Sequence, residues 1–238
     1  MSSQESVMNI RRIQEQRYKM AMYYQRFKNI NKNNSHPIRQ VQFIKKSTNK
    51  NGLSHDDKEV LDFQKKFIDK LQGLSVTERN TQLENLKVIH VFNGIHNYSE
   101  RVELLENYIV KKKISFNRLG LHLFQNEVNS LLKLTNCSHV PQIIGFNPKR
   151  MEIYMTYCGK ELTRQTLPKD WKVQLKNISE IFIQNKIHSN DMIIRNTTVL
   201  DGKLYIIDFG LNNQFKEDIN IVLRNFYYRL LEFERKTR

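Results

Sequence analysis

The segment Ile187 to Leu211, IHSNDMIIRNTTVLDGKLYIIDFGL, limits the fold more than any other part of the chain. Its two apolar runs flank Asp201-Gly202. That dipeptide suits a type I′ turn, which needs positive φ at both central residues. TTVLDGKLYIIDF is therefore predicted to be a β-hairpin. Asp208 then ends the second strand, while Asp191 and Asn196 lie on the loop before the first. All three side chains come to one edge, where strand ends and loops converge. A carboxylate pair held together there repels unless a cation joins it. Magnesium binds through one or two carboxylates, with phosphate oxygens and water completing its shell. The three residues thus suit a metal–nucleotide site.

Hydrophobic spacing organises the rest. Residues 8–30 carry apolar residues at irregular helical spacing, and 31–51 are polar, rich in Asn and Lys, and contain Pro37. A helix is expected from Ser54, with Asp57 three residues on and Gly73 as its stop. Val60, Phe63, Phe67, Ile68 and Leu71 would line its face. KVIHVF (87–92) and NYIVKKKIS (107–115) read as strands. LGLHLFQNEVNSLLKL returns to helical spacing; QIIGF and MEIYMTY are strands joined by the turn NPKR. WKVQLKNISEIFIQNKI is an amphipathic helix with Asp170 as a candidate cap, and a last helix spans about 216–236. Frequent hairpins, and strands that do not alternate one for one with helices, indicate an α+β fold.

D-x4-N (Asp191, Asn196) followed by Asp208-Phe209-Gly210 at the end of the next strand resembles the protein-kinase-like superfamily. The likeness implies that Asp191 is the catalytic-loop aspartate, and that Asn196 and Asp208 bind metal. YIVKKKI resembles the strand bearing the ATP lysine, with Lys111 the best match and Lys112 and Lys113 the alternatives. Glu127, in QNEVNSLLKL, resembles the helix glutamate that pairs with that lysine. IYMTYCGKEL resembles the last small-lobe strand and hinge, with Tyr157 and Cys158 near the adenine. The likeness covers about 87–230 and implies a two-lobed fold using ATP and Mg2+. Three regions are expected: a basic, largely helical extension (1–80), for which the likeness offers no counterpart, a small nucleotide-binding lobe (81–158) and a shortened catalytic lobe (159–238). The shortened end is similar to compact atypical kinases, among them the small kinase of the tRNA-threonylcarbamoylation complex and, less closely, the RIO kinases.

The sequence also departs from the superfamily pattern. His-Arg-Asp is replaced by Ser189-Asn190-Asp191, and Ile193 stands where a lysine is usual. VFNGIHNYSERV, in the place of the glycine-rich phosphate loop, has the single glycine Gly94. The reading that follows is an ATP-dependent Ser/Thr protein kinase with a protein substrate. A pseudokinase scaffold within a larger assembly and a basic nucleic-acid-binding or packaging protein are the alternatives.

Charge supports the last of these. The formal net charge is +15, and residues 1–50 hold eleven Lys and Arg against Glu5 and Glu15. Such a segment suits an acidic partner or nucleic acid, or is a solvated tail. Heavy use of Asn, Ile and Lys, typical of AT-rich genomes, points to sources such as a large DNA virus. With Cys137 and Cys158 the only cysteines, a reducing compartment is expected, cytoplasmic or in a virion. The N-terminus has no long apolar run, so no signal peptide or membrane span is expected.

Overall fold

The computed structural model describes residues 56–92, 99–187, 192–211 and 218–235. Leu53–Arg238 forms one compact unit. The expected helix at 8–30 lies outside the described residues.

Helix α1 (Asp57–Leu71) starts after Asp56, whose carboxylate accepts a hydrogen bond from the Lys58 amide. Ser54, the expected cap, lies outside the described residues. The helix ends before Gly73, whose φ of +85° suits a residue without a Cβ. Its buried stripe is Val60, Gln64, Phe67 and Leu71, about one helical turn apart. Phe63, expected on that face, is 44% exposed. Helix α2 (Val76–Glu84) opens with a reciprocal capping box between Ser75 and Glu78. The sequence expectation groups α1 and most of α2 with the basic extension. Phe67 and Leu71 of α1 and Leu83 of α2 bury against Leu105, Ile109 and Tyr154.

Five antiparallel strands follow: β1 (Val88–Phe92), β2 (Ser99–Leu105), β3 (Ile109–Ile114), β4 (Ile143–Asn147) and β5 (Glu152–Thr156). Their order is β1-β2-β3-β5-β4. Helix α3 (Arg118–Lys133) lies in the chain between β3 and β4. A second, three-stranded sheet has the order β6-β7-β8, from β6 (Lys160–Glu161), β7 (Thr197–Leu200) and β8 (Lys203–Ile206). The predicted hairpin is present: Leu200 pairs with Lys203, and Asp201 and Gly202 have φ of 49° and 67°.

Helices α4 (Trp171–Gln184) and α5 (Ile219–Arg235) complete the α+β architecture. Phe124, Val128 and Leu131 of α3, Ile153 and Met155 of β5, and Phe182 of α4 share one core with Phe226 and Leu230 of α5. Among the described residues no helix is long and apolar enough to cross a membrane.

Candidate functional site

Strand β3 has two covered faces. Ile109 packs beneath α1 and α2, whereas Val110 and Ile114 face the core that includes α3. Side chains alternate along a strand, so Lys112 shares the face of Val110 and Ile114, and Lys111 takes the other. The ion pairs follow this alternation. Lys112 Nζ lies 2.7 Å from Glu127 Oε2 and 2.9 Å from Asp208 Oδ1. Lys111 instead pairs with Glu103, its direct neighbour on β2. The expected partnership of Lys111 with Glu127 is therefore corrected to Lys112. The physical reason is the two-residue period of the strand.

Electrostatics hold the Lys112 ammonium charged. Burial alone would pull the Lys112 ammonium down. The charges of Asp208 and Glu127, each hydrogen-bonded to it, outweigh that and raise its pKa. Burial pushes the Glu127 carboxyl up, opposed chiefly by Lys112. A lysine shared by two carboxylates bridges three elements: β3, α3 and the segment after β8.

That segment is read closely by α3. The Phe209 amide donates to Glu127, and Asn126 Nδ2 donates to the Gly210 carbonyl oxygen at 3.2 Å. His122 Nε2 meets the Asn126 amide one turn earlier, also at 3.2 Å. Phe209 is fully buried with its ring edge-on to Phe182, 5.9 Å between centroids. Asp208 itself has φ of 66°, a left-handed conformation that costs a non-glycine residue about 1–3 kcal/mol. Its neighbours therefore impose it. The Asp208 side chain stays 44% exposed, so its carboxylate meets both Lys112 and solvent.

Asn196 closes a 3-10 turn (Ile194–Asn196) directly before β7. Its carbonyl oxygen accepts the Ile207 amide at 2.9 Å, so Asn196 and Asp208 stand on adjacent backbone. Together they offer one amide and one carboxylate oxygen, hard donors suited to magnesium with phosphate and water. Among the described residues no three His, Cys, Asp or Glu side chains cluster as a metal site. A metal here would depend on ligands beyond these two. Asp191, the candidate catalytic residue, lies outside the described residues.

Tyr157 and Cys158 occupy the connection between the two sheets, after β5 and before β6. The Tyr157 amide donates to the Tyr108 carbonyl oxygen, and the Tyr157 carbonyl accepts from Gln64 Nε2 of α1. The Cys158 carbonyl accepts from the Thr198 hydroxyl of β7 at 2.7 Å. Gly159 follows with φ of +91°; a Cβ there would fall on the Val199 carbonyl oxygen. This glycine lets the connection lie directly against β7. The Cys158 thiol is buried, and burial pushes it up to about 12.

Gln64 is the residue that sequence patterning overlooks. Buried in the apolar stripe of α1, it donates to both Tyr108 O and Tyr157 O, at 3.0 and 2.9 Å. Its signal is its position: a polar residue one turn from Val60 and from Phe67. The chain matches no protein-family model, and no curated protein is similar to it.

Proposed function

We propose that this chain is an ATP-dependent phosphotransferase of two-lobed, protein-kinase-like fold, acting on Ser or Thr hydroxyls of a protein. The observation that carries this reading is the Lys112–Glu127–Asp208 cluster. A lysine on the third strand, paired with a glutamate of the next helix and met by the aspartate of Asp-Phe-Gly, is the set of charges that phosphoryl transfer uses. In this reading the five-stranded sheet with α3 forms the small lobe. The connection through Tyr157 and Cys158 is the hinge beside the adenine.

The residues divide the work. Lys112 presents fixed positive charge to the nucleotide phosphates, and Glu127 holds its ammonium in place. Asn196 and Asp208 would hold Mg2+, which when bound neutralises charge on the phosphate oxygens. Asp191 orients the acceptor hydroxyl and takes its proton. Such transfer needs mainly positioning and charge stabilisation.

One observation favours a scaffold as the second reading. The segment in the place of the phosphate loop has the single glycine Gly94, so few backbone amides could approach phosphate closely. Labelled ATP, with and without magnesium, tests both readings. Magnesium-dependent binding with transfer to protein supports the enzyme. Binding without transfer to any partner replaces it with the scaffold, and absence of binding removes the nucleotide site.

A further inference from the structure

Helix α1 makes its contacts in one progression along its length. At its first residue, Asp57 Oδ2 accepts the Asp201 amide of the β7–β8 turn at 2.9 Å. One turn on, Val60 packs with Leu200 of β7, with Leu104 of β2 and with Tyr108, which precedes β3. At the next turn Gln64 Nε2 donates to Tyr108 O and, across the connection, to Tyr157 O. Phe67 and Leu71 then bury against Ile109 and Tyr154 of the five-stranded sheet. The helix therefore starts on one sheet, crosses the connection and ends on the other. At 1.5 Å per residue its contacts reach over about 21 Å.

The common core joins the sheets through Ile153 and Met155 of β5 and Leu204 and Ile206 of β8. Side chains alternate along a strand, so Tyr154 lies on the opposite face of β5, where α1 ends. Between the sheets the chain has only Tyr157, Cys158 and Gly159, the last with φ of +91°. Hinges are a few such residues that absorb a change in φ and ψ. A helix fixed on both sides of that stretch opposes the change. Both polar fixings go to main-chain atoms, so they hold the backbone itself. The Asp201 amide lies in the turn, beyond the last ladder pair Leu200–Lys203, and α1 supplies its acceptor. Gln64 is a polar group in an apolar stripe, a placement that costs stability unless its hydrogen bonds are made.

We propose that α1 is a clamp across the connection: Asp57 and Gln64 tie the β7–β8 turn, the connection and the five-stranded sheet to one rigid helix, and its release frees the two sheets to move about residues 157–159. Gln64 is then a positioning residue for the connection. Any consequence for nucleotide rests on the phosphotransferase reading above; the clamping itself does not.

The test is amide hydrogen exchange on the full chain without denaturant, read by mass spectrometry. Peptides over 157–162 report the connection, and peptides over α4 report the body of the fold. Gln64→Leu should speed exchange in 157–162 by about tenfold, as loss of a buried hydrogen-bond partner does, and leave α4 unchanged. Asp57→Ala should act in the same direction by a smaller factor, because its bond is solvent-exposed. Asp57→Asn keeps an acceptor oxygen and should restore the wild-type rate. If circular dichroism shows that Gln64→Leu does not fold, the two Asp57 variants decide. Exchange in 157–162 unmoved by the folded variants, or raised by the same factor in α4, overturns the proposal. Mg-ATP binding is measured in parallel and should weaken in each variant that frees the connection. If the wild type binds no Mg-ATP while the exchange effect persists, the clamp stands and the phosphotransferase reading falls. If Mg-ATP binds equally well to wild type and freed variants, the link between clamp and nucleotide is removed.

Discussion

Lys112 Nζ stands 2.7 Å from Glu127 Oε2, joining strand β3 to helix α3 in a buried ion pair. Both residues are almost fully enclosed, so neither can turn to water if the other is lost. Removing one partner of a buried pair typically costs about 3–5 kcal/mol, whereas an apolar replacement of both is often neutral. Lys112→Met alone is therefore expected to lower unfolding stability by that order. Lys112→Met with Glu127→Leu should recover most of it, while Lys111→Met, on the opposite face, should cost far less. Urea unfolding of the three variants measures this. Equal losses for Lys111→Met and Lys112→Met would contradict the alternation of the strand.

Asp208→Asn separates charge from backbone. Asparagine tolerates the left-handed conformation, so the φ of 66° is retained at little cost. The carboxylate charge facing Lys112 is lost. Magnesium-dependent ATP binding should disappear, with a circular dichroism spectrum like that of the wild type. Undiminished Mg-ATP binding would remove Asp208 from the metal site.

Much of this arrangement is legible from sequence, for identifiable reasons. Asp201-Gly202 announces its turn because few residues accept positive φ twice in succession. The apolar face of α5 is legible because Ile219, Val222, Leu223, Phe226 and Leu230 keep the helical period. The orientation of Lys111–Lys113 is less so, because β3 is covered on both faces and a one-residue slip exchanges them. The clue lies in the flanks: Val110 and Ile114 sit two residues either side of Lys112. The place of Gln64 in an apolar stripe marks it out, but its role is not legible locally, because its partners are main-chain carbonyls 44 and 93 residues away. Strand β2 hides for a related reason: its buried Glu103 makes sense only once Arg101 and Lys111 stand beside it.

The Cys158 thiol should be inert in the native protein. Burial pushes its pKa up to about 12, and thiol reactivity depends on the thiolate. Cys137 is also buried, and burial raises its pKa too. A disulfide-exchange reagent at mildly alkaline pH should label neither until denaturant is added, and then both. Rapid native labelling of Cys158 would mean that the connection between the sheets opens.

Gln64→Leu keeps the size of the side chain but removes the donor to Tyr108 O and Tyr157 O. Leaving buried acceptors without a partner costs about 1–3 kcal/mol. A stability loss of that order is expected in urea unfolding. Tyr157 belongs to the connection between the sheets, so Mg-ATP affinity should fall as well if that connection is the adenine hinge. Lost stability with unchanged affinity would separate α1 from the nucleotide site.

Asp191→Ala tests the enzyme reading most directly. In the proposed reading Asp191 would orient the substrate hydroxyl and accept its proton, while Asn196 and Asp208 would serve the metal. Nucleotide affinity should therefore survive the substitution. A positioned general base is typically worth about 10²–10⁴ in rate, so phosphate transfer should fall by that order. Asp208→Asn provides the contrast, since binding and transfer should be lost there together. The rate is best read from autophosphorylation or from a natural protein substrate, because a generic peptide need not dock. Transfer that is measurable in the wild type and intact in Asp191→Ala would show that the D-x4-N alignment assigns the wrong aspartate. Loss of ATP binding in Asp191→Ala would instead move Asp191 into the metal site beside Asn196, and the proton acceptor would have to be sought elsewhere.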